Sequence, residues 1–182
     1  MNHKDPVRAR SAIDWIGKRY LRWTAYGLFL CAAALLQFTP HLFEIAGARP
    51  MPLIPAVVCI ALFTGPGGGA AAGAFAGFLW DIYAGKLLGL YGLLFLCIGC
   101  GCGLLAWLLV RNNFWSGCLL SAGTSLLYTL FSWGITYVLF RREHPFWVLL
   151  TYYLPDCLYT LLTAPLIYWG TRAVFRLLRK RQ

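Results

Sequence analysis

Apolar residues run in long blocks along this chain, separated by short polar or glycine- and proline-rich stretches. The first block covers residues 23–38 and is closed by Thr39-Pro40. A polar link carrying Glu44 and Arg49 leads to a second block at 51–64, whose early prolines suit a helix first turn, where the N–H groups have no intrahelical acceptor. Gly65-Pro66-Gly67-Gly68-Gly69 reads as a turn that ends it, and residues 70–83 form a short third block ending near Asp81. The fourth covers 86–110, the fifth 116–140, and the sixth 146–170 with Pro155 and Pro165 inside it. The pattern predicts an all-α integral membrane protein, a six-helix transmembrane bundle over residues 23–170, with a basic segment at 1–22 and a basic tail at 171–182.

Composition strengthens this picture. Side chains are 60% apolar and only 12% charged, unlike those of a soluble domain. The formal charge of +10 raises the question of nucleic acid, but its distribution answers against it. Eleven of the sixteen Lys and Arg lie in the first 22 or last 11 residues, flanking the hydrophobic region. Basic flanks of this kind follow the positive-inside rule and attract anionic lipid, so both termini are expected in the cytoplasm. Ile13, Ile16, Tyr20 and Trp23 recur at helical spacing among Lys18, Arg19 and Arg22, which fits either an interfacial amphipathic helix or a disordered basic tail.

Within the apolar region, Gly73, Gly77, Asp81, Gly85 and Gly89 recur every four residues. On one helix such a row is a ridge of nearly bare backbone. Small residues let helices approach closely in lipid, where burying Leu against Leu gains little over burying it in acyl chains. Because Asp81 ends a short helix, the stretch reads as a helical hairpin. The row has two uses: packing within the chain, or receiving a partner helix. Asp81 and Asp156, which directly follows Pro155, are the acids nearest membrane depth. Each is expected to cap or end a helix, to pair with Lys86 or Arg142, to meet a partner's basic group, or to serve ion transport. A carboxylate at a helix C-terminus opposes the helix dipole, so Asp81 is expected to have a partner.

No enzyme signature is visible. His3, His41 and His144 are scattered, the glycine run lacks the Lys-Ser/Thr of a phosphate loop, and no nucleophile elbow occurs. The seven cysteines all fall in apolar blocks, and the cluster at 97–102 has no His or acid beside it, so it reads as helix packing rather than a metal or redox site. Neither a cofactor nor a metal is expected.

Three groups of residues resemble a known family. They are Leu36-Gln37 with Gly47-Ala48-Arg49-Pro50, then Gly77-Phe78 with Asp81, Gly85 and Leu88-Gly89, and finally Leu154-Pro155, Ala164-Pro165 and Tyr168 before a basic tail. In that order the chain is similar to the MreD family of rod shape-determining membrane proteins. The resemblance implies a scaffold of the cell-elongation complex in the bacterial inner membrane, binding MreC. Through MreC it would serve the MreB cytoskeleton, a SEDS glycosyltransferase and a class B penicillin-binding protein. The resemblance also implies a six-helix fold similar to the substrate-binding subunits of energy-coupling-factor vitamin transporters, and hence a second possible role as such a subunit. Gly73, Gly77, Asp81, Gly85, Gly89, Pro155 and Asp156 are the residues expected to meet the partner.

Overall fold

A computed structural model describes residues 5–39, 51–85, 89–108, 114–140 and 154–180. The link residues Glu44 and Arg49, the possible partners Lys86 and Arg142, the three histidines and the start of the expected sixth span lie outside them. Among the described residues there are five helices and no strand: α1 (Asp5–Phe38), α2 (Leu53–Ala84), α3 (Leu90–Leu108), α4 (Phe114–Phe140) and α5 (Leu154–Lys180). Four stretches are long and apolar enough to cross a membrane: Tyr20–Phe38, Leu53–Ala84, Leu90–Leu108 and Trp115–Ile135.

The expectation of six separate helices is corrected at α2. The blocks at 51–64 and 70–83 belong to one element, interrupted at a single residue, Gly65, with φ 81° and ψ −172°. That conformation is essentially restricted to glycine. Pro66 sets the break: a proline pushes the residue before it out of the helical region, and its own fixed φ suits the first position of a new helix. Gly67, Gly68 and Gly69 are already helical rather than part of a turn.

The break reverses the chain. Gln37 accepts a hydrogen bond from the Leu53 N–H at 3.2 Å, while its neighbour Phe38 stacks on Tyr83 with ring centroids 4.2 Å apart. In a straight helix, Leu53 and Tyr83 would be about 45 Å apart. A Cβ placed on Gly69 would come within 2.6 Å of the Ala61 Cβ, although eight residues of straight helix span about 12 Å. Element α2 is thus two limbs, 53–64 and 66–84, folded back on each other. Every residue of 53–62 is buried, which a helix apolar on all sides requires. The first limb forms the centre of the bundle.

The remaining helices surround it. At the Asp81 end, Phe38, Trp80, Tyr83, Tyr91 and Tyr128 form a continuous aromatic cluster joining α1, α2, α3 and α4. Here too the Met51 N–H donates to Thr160 Oγ1 near the start of α5. At the opposite, Gly65 end, Phe63 packs on Tyr168 and Phe175 of α5. Helices α1 and α5 therefore run in opposite directions, with the N-terminal part of α1 and the C-terminal part of α5 both toward the Gly65 end. The 22/23 and 170/171 boundaries drawn from charge fall inside α1 and α5, which run through them unbroken.

Candidate functional site

The second limb of α2 packs along α3, and Gly73 and Gly77 lie in the seam between them. A Cβ on Gly73 would strike the Phe95 carbonyl, and one on Gly77 would come within 2.6 Å of Gly92 Cα and the Tyr91 oxygen. Gly69 and Gly99 face each other through their carbonyl groups, and a Cβ on Gly103 would lie 2.6 Å from Pro66 Cα. The two helices thus touch backbone to backbone over about three turns, the close approach that small residues permit in lipid. The complementary row on α3, Gly92, Phe95, Gly99 and Gly103, is the part that sequence reasoning missed. Its spacings of three, four and four residues are the signal that would have found it.

Asp81 closes the seam. Its carboxylate is 3% exposed and accepts three backbone N–H bonds: from Gly89 and Gly92 at 3.0 Å on Oδ2, and from Tyr91 at 3.2 Å on Oδ1. The first N–H groups of a helix have no intrahelical acceptor, and its N-terminus carries partial positive charge. Asp81 therefore caps α3 from across the hairpin. It does lie near the C-terminal end of α2, where the local dipole is unfavourable, but the α3 N-terminus outweighs this with three direct bonds. The expected partner is backbone, supplied by the next helix.

The hairpin turn is fixed at both ends. Gly85, at φ 60°, donates its N–H to the Asp81 carbonyl and ends α2, and Gly89, at φ 96°, leads into α3. Gly85 and Gly89 are exposed and have no atom within 4 Å of a built Cβ, so they lie at the tip rather than in the seam. Pro155 and Asp156 are half-buried on another element, at the start of α5. Asp156 lies in that helix's first turn, where the dipole favours a carboxylate. The structure brings together Gly73, Gly77, Asp81, Gly85 and Gly89 on one hairpin, and Pro155 and Asp156 belong to a different helix.

The ridge expected to receive a partner is filled by the chain's own α3. The open surface lies on the other side of that helix. Between α3 and α4 runs an apolar groove of about 500 Å³, with Cys97, Ile98, Gly101 and Leu105 on one wall and Leu119, Gly123 and Leu127 on the other. A Cβ on Gly101 or Gly123 would meet nothing within 4 Å. Among the described residues no group of His, Cys, Asp and Glu is arranged to hold a metal.

No curated protein and no solved structure matches the chain, so the expected likeness to energy-coupling-factor subunits has no comparison behind it. One family does match, over residues 17–181: rod shape-determining protein MreD. With nearly its whole length inside that match, and with apolar helices of membrane length folded around a glycine-packed hairpin, the chain belongs to the MreD family of cell-shape-determining membrane proteins.

Proposed function

We propose that the protein is a non-enzymatic scaffold of the rod complex in the bacterial inner membrane, binding MreC and thereby supporting peptidoglycan synthesis and cell shape. MreB, the SEDS glycosyltransferase and the class B penicillin-binding protein are reached indirectly. Family membership supports the reading, and the observation that carries it is the α2–α3 hairpin. Here the close-packing residues and the buried acid are committed to holding two helices rigidly together, as a scaffold needs, rather than to gathering reactive groups. Counting the two limbs of α2 separately gives six helical segments among the described residues, with the four membrane-length stretches in α1 to α4. The shared end of the basic termini is taken as cytoplasmic by the positive-inside rule.

Within this reading, Gly73, Gly77, Asp81 and Gly89 act on MreC through the hairpin they hold. Gly85 at the exposed tip, with Pro155 and Asp156 at the same end of the bundle, is left to touch the partner. Gly85→Leu adds a side chain in open space while straining a positive φ, and it should lower co-purification of MreC about tenfold with the protein still inserted. Wild-type recovery by this variant would remove the tip from the interface. Failure of the wild-type chain to retain MreC would sink the scaffold reading itself.

A further inference from the structure

Helix α5 changes character along its exposed side. Leu162, Leu166 and Trp169 are each more than 70% exposed, and Arg172 and Arg176 continue the same row at helical spacing, both exposed. Leucines, then tryptophan, then arginines is the order met when passing from hydrocarbon through the interface to the headgroups. The neighbouring helix adds a third cation at the same depth. Phe29 of α1 lies against Gly170 of α5, 3.3 Å from a Cβ built there. The helices run in opposite directions, so Arg22 lies about 10 Å and Arg176 about 9 Å beyond that contact toward the Gly65 end. Among the residues whose side chains are described, none of the three arginines has an acidic partner.

One turn from Arg22, the Tyr26 hydroxyl is buried and has no hydrogen-bond partner among the described residues. Three guanidiniums and a buried phenol without a hydrogen-bond partner thus lie toward the same end of two helices that touch. Guanidinium forks match phosphate oxygens in geometry and charge. The exposed leucines alongside would take an acyl chain, which a soluble phosphate does not have.

We infer that Arg172 and Arg176 of α5, with Arg22 of α1, form a binding site for the headgroup of an anionic phospholipid, whose acyl chain lies along Leu162 and Leu166. The inference rests on the proposed placement of the basic end at the cytoplasmic membrane surface. The test is native mass spectrometry of the full chain released from detergent micelles holding equal amounts of palmitoyl-oleoyl phosphatidylglycerol and the matching phosphatidylcholine. The wild type should retain phosphatidylglycerol more than about tenfold over phosphatidylcholine, and Arg172→Gln with Arg176→Gln should bring the ratio within about twofold. The double Lys variant, which keeps the charges, should retain most of the preference and confirm that the site tolerates substitution.

Arg8→Gln with Arg10→Gln removes the same charge about 20 Å from Arg22 and should leave the ratio unchanged. No wild-type preference, an equal loss in the Arg8 and Arg10 variant, or displacement of the lipid by equimolar glycerol 3-phosphate would each overturn the site. The micelle has no sidedness and contains no MreC, so the outcome is independent of whether the scaffold reading holds.

Discussion

The two sides of α3 carry similar residues and do opposite things. Toward α2 it presents Gly99 and Gly103, each set against backbone, and Gly92, set against the Asp81 carboxylate; toward α4 it presents Gly101, with nothing within 4 Å. Both faces would be described from composition as small-residue helix faces in an apolar block. What separates them is the residue opposite. Gly69, Gly73 and Gly77 stand across the first face and allow contact along its length. Across the second stand Leu119 and Leu127 beside Gly123, and a groove remains. A glycine in a membrane helix permits close approach, and only a matching glycine row on the neighbour turns that permission into a packed seam.

The largest effect should come from filling the seam. Gly73→Leu places a side chain against the Phe95 carbonyl, and backbone on both helices leaves no flexible atom to yield. Overpacking of an ordinary core costs about 1–3 kcal/mol, and this position should exceed that range. The expected outcome is loss of monodisperse protein in detergent, read by size-exclusion chromatography and limited proteolysis. A Gly73→Leu protein with wild-type behaviour would mean that α2 and α3 do not touch as described.

Removing the cap should come next. Asp81→Ala leaves three N–H groups of the α3 turn without their acceptor. Loss of an N-cap costs about 0.5–2 kcal/mol, and the upper end applies here because the acceptor is charged and serves three donors. Asp81→Asn keeps one acceptor oxygen and should recover about half of the loss in a thermal unfolding series. Equal destabilisation by both variants would point to the charge itself rather than to the capping geometry.

The smallest effect is expected in the groove. Gly101→Leu adds apolar surface where there is space, and its stability should stay within about 0.5 kcal/mol of wild type. A loss as large as that at Gly73 would show that the two faces of α3 do not differ, and the contrast between seam and groove would fail.

Much of this was legible before any coordinates. Block lengths and the positions of the basic residues gave an all-helical membrane bundle, because a bilayer sets the length of a crossing helix and satisfies no backbone polar group itself. The break near Gly65 and the hairpin turn near Gly85 were readable from Gly-Pro and Gly chemistry, since few other residues adopt those conformations. Family membership was readable from a small set of spaced residues and covers residues 17–181.

Three matters lay beyond the sequence. That the reversal expected at 65–69 is made at Gly65 alone, with Gly67 to Gly69 already helical, depends on how the limbs pack: Gln37 at Leu53 and Phe38 at Tyr83 hold both limb ends at one end of the bundle. That Asp81 accepts three backbone N–H bonds depends on where the α3 N-terminus falls, eight to eleven residues later. And whether the glycine ridge at 73–77 is an open groove or a closed seam depends on α3 lying over it. Local pattern fixes what each face is able to do, because propensity and spacing act within a few residues. Only the packed bundle decides which face meets which, because that choice is made by contacts between segments far apart in the chain.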